Sequence, residues 1–197
     1  MFTGIVEEIA IIKNIVKEQE NIHLTIACSF VDELKIDQSV LHNGICLTVV
    51  AIETGAFTVT AIKETIDVTT LGQWKIGQQI NLERGMLANA RLDGHIVQGH
   101  VDLVGRCVSM QEAAGSTYYG FEYAEKAEHI TISKGSITID GTSLTVVDSG
   151  IHTFSVAIIP YTKEHTIFKQ YKIGDAVNLE FDVIGKYVEK LLRIRNS

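Results

Sequence analysis

No run of five basic residues occurs anywhere in the 197-residue chain, and its formal charge is −7. Phosphate binding needs clustered Lys and Arg, so nucleic acid is not an expected partner. No apolar stretch approaches the roughly 18 residues of a membrane span, so no membrane partner is expected either. The opening MFTGIVEE carries acid where a secretory signal carries base, so no such signal is expected. Cysteine is scarce. Cys28, Cys46 and Cys107 are odd in number and show no CxxC or Cys/His metal spacing. That argues against a disulfide framework or a metal site and for a reducing compartment, with the cytoplasm as the expected location. What is present, 46% apolar and 21% charged residues, places the chain among ordinary globular proteins.

The chain is also written twice. Ser39–Val50 (SVLHNGICLTVV) matches Ser136–Val147 (SITIDGTSLTVV) at six of twelve positions, at an offset of 97. Lys75–Glu83 (KIGQQINLE) matches Lys172–Glu180 (KIGDAVNLE) at six of nine, at the same offset. Thr3–Glu7 aligns with Gln98–Asp102 at an offset of 95, so copy two gains two residues before its signature block. Self-similarity at one period signals duplication. The seam falls near Ala90–Gly94, which sets expected units at 1–94 and 95–184 and a tail at 185–197.

Strand signals dominate both copies. His23–Cys28, Ser39–Ile52, Phe57–Ile62 and Ile80–Glu83 are rich in Val, Ile, Thr and Leu. Gly99–Cys107, Ser136–Val147, Phe154–Ile159 and Ala176–Phe181 repeat the pattern. Short strands at close spacing predict a small barrel or sandwich per copy. Short helical pieces are expected at Phe30–Leu34, Glu64–Leu71, Ala124–His129 and Tyr161–Phe168, with Thr as the capping residue type. From Val183 the residues Ile184, Tyr187, Val188, Leu191 and Leu192 recur at helical spacing. That stripe packs either on its own barrel or on the same helix of sister subunits.

The copies disagree where chemistry would sit. Cys46 faces Ser143 in the alignment, Ile5 faces His100, and Gly85 faces Asp182. Two related pockets with different reactive groups suit a protein that holds two similar molecules and treats them differently. A thiolate at Cys46 is a good nucleophile, although a free Cys is more often a small core hydrophobe. His100 suits proton transfer near neutral pH and is placed on the first strand of copy two. Most of the remaining histidines read as surface or structural, with His95 and His42 the weaker site candidates. Thr48/Thr145 and Thr65/Thr162 fit recognition of features shared by both molecules, or else strand preference and helix capping.

MFTGIVE, HNGICLTV (His42–Val49), GHIVQGHV (Gly94–Val101) and the DGTSLTV block beginning at Asp140 together resemble riboflavin synthase. The resemblance covers the chain to about Leu192. It implies an all-β fold of two tandem homologous six-stranded antiparallel Greek-key barrels plus a C-terminal α-helix. It implies transfer of a four-carbon unit between two molecules of 6,7-dimethyl-8-ribityllumazine, with no cofactor and no metal. It implies a homotrimer, with sites between the N-terminal barrel of one subunit and the C-terminal barrel of the next. Association with lumazine synthase is left open by the residues.

Residue by residue, the resemblance assigns Gly4, Ile5, Val6, Ser39, Cys46, Leu47, Thr48, Thr60, Ala61, Ile62, Lys63, Glu64 and Thr65 to the first barrel's site. It assigns Gly99, His100, Val101, Lys134, Ser143, Leu144, Thr145, Ile159, Pro160, Tyr161, Thr162, Lys163, Glu164 and Asp182 to the second. Cys46, Ser39, His100, Thr145 and Asp182 are the catalytic candidates. Asp182 is expected to bind ribityl hydroxyls or to assist Ser39 across the subunit boundary. A non-catalytic lumazine- or flavin-binding protein of the same fold is the rival reading. A flavin oxidoreductase module is disfavoured, because no GxGxxG follows a strand.

Overall fold

The computed structural model describes residues 1–124 and 129–196. The first barrel comprises β1 (Glu8–Glu18), β2 (Asn21–Ala27), β3 (Ser39–His42), β4 (Ile45–Glu53), β5 (Ala56–Ala61) and β6 (Gln79–Arg84). They close in the order β1-β2-β5-β4-β3-β6, all antiparallel. The second comprises β7 (Leu103–Ala113), β8 (Ser116–Glu122), β9 (Ser136–Ile139), β10 (Thr142–Ser149), β11 (Thr153–Ile158) and β12 (Ala176–Phe181). It closes in the same order, shifted by six strands.

Alternation builds each wall. On β2, Ile22, Leu24 and Ile26 fill the interior while His23 and Thr25 face out. The single runs expected at Ser39–Ile52 and Ser136–Val147 are each a hairpin. Asn43-Gly44 turns the first, with φ of 44° and 79°, and Asp140-Gly141 the second, with φ of 43° and 79°. Two consecutive left-handed residues give the tight turn that matches strand twist. Strands β1 and β8 were not expected. The run expected from Gly99 begins only at Leu103, and His100 lies ahead of the strand rather than on it.

The short helices follow the repeat as well. Val31–Glu33 is one 3₁₀ turn. The stretch after β5 divides into α1 (Lys63–Val68) and a 3₁₀ turn, Thr70–Gln73. Its equivalent divides into α2 (Pro160–Glu164) and Ile167–Gln170. The capping hydroxyls belong to Thr69 and Thr166, which accept from Leu71 N and Phe168 N. Thr65 and Thr162 instead offer their carbonyls to those same hydroxyls, at 2.6 and 2.7 Å. The helix expected at Ala124–His129 falls largely outside the described residues.

The tail is α3 (Val183–Asn196). Asp182 Oδ1 accepts Ile184 N at 3.0 Å and so caps its first turn. Lys186 ties that turn to Asp102 of the second barrel at 2.6 Å. Beyond it Tyr187, Val188, Leu191, Leu192 and Ile194 are exposed, so the apolar stripe does not pack on its own barrel. Among the described residues no helix is long and apolar enough to cross a membrane.

A pseudo-twofold clasp joins the barrels. Asn81 Nδ2 donates to Asp140 O and Asn178 Nδ2 donates to Asn43 O, both at 2.9 Å. Their Oδ1 atoms accept Ile167 N at 2.9 Å and Thr70 N at 2.8 Å. Each asparagine therefore sits in one barrel and satisfies buried backbone of the other.

Candidate active site

Both candidate seats are built by an exchange between barrels. The buried Glu83 carboxylate accepts Thr3 N at 2.7 Å, Thr3 Oγ1 at 2.9 Å and Gly4 N at 2.9 Å. Its repeat partner Glu180 accepts Gln98 N, Gly99 N and His100 N at 2.7, 2.8 and 3.0 Å. Burial pushes both carboxyls up, Glu180 to about 7, against the pull of these donors. Held this way, each leading segment reaches the opposite barrel. Gly4 O accepts Ser143 N at 2.7 Å, and Gly99 O accepts Cys46 N at 2.9 Å.

Only glycine permits the approach. A Cβ on Gly4 (φ +77°) would stand 2.6 Å from Ser143 Cβ, and one on Gly99 (φ +81°) 2.5 Å from Cys46 Cβ. Side chains follow the same exchange: Val101 packs on the first barrel's core and Ile9 on the second's. Within one chain, Gly99–Val101 thus lie beside Cys46 and Gly4 beside Ser143, across the barrel division by which the resemblance groups them. Periodicity cannot show which barrel a coil segment packs against.

Seat one lies on the outer face of the β3–β4 hairpin. Register pairs Ser39 with Thr48 and Leu41 with Cys46, so all four face the same way. Cys46 is half-buried against Phe2, Leu41 and Val97, while Thr48 is exposed. Leu47 and Ala61 point into the barrel core, so their side chains are not available to a ligand there. Ile62 is exposed at the mouth, and Lys63 lies 3.8 Å from Glu20 and 3.7 Å from Asp67. A cavity of about 700 Å³ opens beside Ser39, between Ile5, Glu83, Arg84 and the linker at Arg91.

Seat two repeats the geometry with different groups. Ser136 pairs with Thr145, and Thr138 with Ser143. His95, a weaker site candidate from sequence, holds this face together. Its Nδ1 lies 2.6 Å from Ser143 Oγ and its Nε2 lies 3.2 Å from Thr138 Oγ1. Burial lowers the His95 pKa, and the charge of Asp182 opposes that shift. The imidazole is thus kept neutral, with one donor and one acceptor nitrogen for two hydroxyls. Gly94 lets the chain pass between Thr3 and Ser143, since a Cβ there would stand 2.0 Å from Thr3 O and 2.9 Å from Ser143 Cβ.

The remaining predicted residues are spread around these faces. His100 is exposed, anchored by its backbone to Glu180, one residue from the Gly99 contact to Cys46. Lys134 is exposed in a left-handed turn (φ 67°), its N–H donating to Val146 O. Ile159 and Tyr161 are exposed, and Tyr161 stacks on His165 at 4.0 Å. Pro160 opens α2. Lys163 Nζ is drawn toward Glu112 (2.5 Å) and Thr117 (3.1 Å). Leu144 packs partly against the second core. Sequence reasoning missed Glu83 and Glu180 and placed His95 below His100. The glutamates are an identical pair within the Lys75–Glu83 and Lys172–Glu180 blocks but lack any reactive spacing, and His95 lies just past the Ala90–Gly94 seam with no repeat partner to compare.

Comparison with known proteins agrees with this division. The lumazine binding domain family matches twice, at residues 3–85 and 98–182. A riboflavin synthase of Actinobacillus pleuropneumoniae is 44% identical over 98% of this chain and 90% of its own. One from Bacillus subtilis (strain 168) is 39% identical over 100% and 92%. One from Schizosaccharomyces pombe is 38% identical over 98% and 94%. Among solved structures, LumP complexed with riboflavin shares the fold at TM-score 0.84. It is 23% identical and covers 92% of this chain and 100% of its own. LumP complexed with 6,7-dimethyl-8-(1'-D-ribityl) lumazine gives TM-score 0.83 at 22% identity, covering 92% and 99%. Duplicated domains, full-length similarity and paired seats converge: the chain belongs to the riboflavin synthase family of lumazine-binding proteins.

Proposed function

We propose that the chain is a transferase. It converts two molecules of 6,7-dimethyl-8-ribityllumazine into riboflavin and 5-amino-6-ribitylamino-uracil, moving four carbons from one ring to the other. The observation that carries this reading is the pair of like-built seats with unlike groups, Cys46 under Gly99 and Ser143 under Gly4. One substrate molecule must lose a proton from its C7 methyl group. The other must become electrophilic, by addition of a nucleophile at C7. Two equal seats would not assign donor and acceptor; a thiol in one and a His95-held hydroxyl in the other supply the inequality. His100 is the base candidate beside the Cys46 seat. Holding the two rings in register is itself worth roughly 7–11 kcal/mol of the barrier.

Because Gly99 and Cys46 meet within one chain, His100 is assigned to the seat of Cys46, and Ser143, His95 and Asp182 form the other. In a homotrimer the Cys46 seat of one subunit would face the Ser143 seat of the next. The exposed stripe of α3 supports such an assembly, and the cytoplasm is its proposed location. The test is incubation of purified protein with 6,7-dimethyl-8-ribityllumazine, without added cofactor, followed by its visible spectrum. Appearance of riboflavin is expected. Bound but unconverted substrate would leave a binding protein in its place.

A further inference from the structure

Thr60, which the resemblance assigns to the first barrel's site, ends a chain of three groups on the outer face of barrel one whose other two members, His23 and Glu18, have no part in the reaction outlined above. Thr60 Oγ1 lies 2.8 Å from His23 Nδ1, and His23 Nε2 lies 3.0 Å from Glu18 Oε2. Thr60 and His23 are register partners on β5 and β2. Both face outward, since Val59, Ala61, Ile22 and Leu24 fill the interior. The Val49–Val59 pair sets Thr48 and Thr60, one step along, on adjacent outward positions. Ser39 pairs with Thr48 in turn. Ser39, Thr48, Thr60 and His23 thus form one row across four strands, and Cys46 lies on the same face of β4.

The polarity of this row is determined by its end. A carboxylate only accepts, so Glu18 takes the N–H of Nε2. In the neutral imidazole Nδ1 is then an acceptor, and the Thr60 hydroxyl proton fills it. Thr60 is left with lone pairs alone to offer the seat. A free threonine hydroxyl can donate or accept; this one accepts only. The neighbouring Thr25–Thr58 hydroxyl pair, at 3.1 Å, has no such charged end. Among the described residues copy two has no equivalent either. Its row reads Ser136, Thr145, Ala157 and Tyr118, with Ser136 paired to Thr145 and Ala157 paired to Tyr118.

We propose that Glu18, His23 and Thr60 make seat one a reader of a hydrogen-bond donor on the ligand, and that this sets unequal ligand affinities in the two seats. The donor is a ribityl hydroxyl or the ring imide N–H. The inference rests on the proposed function, which supplies the ligand class. Thr60 contacts the ligand; His23 and Glu18 are positioning residues that orient its hydroxyl. A site built to pair one polarity rejects a ligand lacking it, because its acceptor is then left unpaired.

The experiment titrates the full-length protein with riboflavin and follows quenching of flavin fluorescence. Wild type is expected to show two classes of site. Thr60→Val should weaken one class about tenfold, roughly one hydrogen bond, and leave the other unchanged. Thr60→Ser should keep both classes, and His23→Phe should weaken the same class about threefold, since the hydroxyl is then free to rotate. With 3-methylriboflavin, a loss that vanishes identifies the imide N–H as the donor, and a loss that persists identifies a ribityl hydroxyl. Thr60→Val that binds as wild type at both classes overturns the inference, as does Thr60→Ser as weak as Thr60→Val. Wild-type protein that binds no riboflavin overturns the functional reading itself, and is told apart from those outcomes by that measurement alone.

Discussion

The two barrels share a strand order and differ in how aromatic their cores are. Barrel one is filled mainly by aliphatic residues such as Ile12, Leu24, Ile26 and Val40, with Phe57 and Trp74 among them. Barrel two combines aliphatic residues such as Ile137, Val146, Val156 and Leu179 with Tyr119, Phe121, Tyr123, Phe154, Phe168, Tyr171 and Phe181, whose rings contact one another at 4.4–6.5 Å. Cores tolerate extensive hydrophobic exchange when volume and pattern are kept. Register, by contrast, is held by features present in both copies: the left-handed hairpin turns, the paired glutamates and the paired asparagines. The comparison teaches that the shared elements determine where two seats lie, and the unshared outward residues determine how they differ.

The exchanged glycines offer the sharpest way to break that symmetry. Gly99→Ala must displace Cys46 and adopt a left-handed backbone, and is expected to destabilise the protein by about 3 kcal/mol or more. Gly4→Ala should do the same at Ser143. Denaturant unfolding measures the loss, and Cys46 alkylation rates locate it. A Cys46 equally reactive in wild type and Gly99→Ala would contradict the exchange.

The asparagine clasp tests whether symmetry of geometry is symmetry of energy. Asn81→Ala strands Ile167 N and Asp140 O, and Asn178→Ala strands Thr70 N and Asn43 O. Each is expected to cost about 3 kcal/mol, because two buried groups lose partners. Strongly unequal losses on urea unfolding would mean that the clasp is not twofold in energy.

His42 distinguishes the copies by pH. It is fully buried, its Nε2 has no hydrogen-bond partner among the described residues, and copy two has Ile139 in its place. Burial pushes its pKa down to about 4, against the pull of the Val40 carbonyl. The unfolded chain therefore takes the proton first, near 6.5, and stability falls as pH drops from there toward 4. At pH 5 that loss is about 2 kcal/mol. Asp140 and Glu180, both raised to about 7, act oppositely, costing stability as pH rises toward 7. The difference between wild type and His42→Ile isolates the histidine. A difference that is flat between pH 7 and 5 would remove it from the account.

His95→Gln is the mildest of these changes. Losing the imidazole should lower turnover about tenfold, with little change in KM, by freeing the Ser143 hydroxyl. Ser143→Ala should act alike, and the double variant should be no slower than either single one. Additive losses would mean that the two residues do not act as a unit.

Much of this fold is legible in the residues. The Ala176–Phe181 strand, the tail helix from Val183 and the duplication itself follow from local periodicity, which needs no knowledge of the rest of the chain. Strand β1 was missed because a bulge between Ile12 and Asn14 breaks its alternation, so that Ile9, Ile11, Ile12, Ile15 and Val16 follow no period of two. The site was legible in its residue types and not in its pairing. Cys46 and Ser143 stand out by their mismatch, whereas His95 and His23 stand outside the aligned blocks.

The sequence by itself therefore determined two copies of one barrel and three mismatches of residue type between them, because identity and periodicity are written along the chain. Only the tertiary structure decided that Gly4 reaches Ser143 and Gly99 reaches Cys46. Those contacts join residues more than 50 positions apart through backbone atoms that every residue carries. A glycine announces that something comes close; it does not say what.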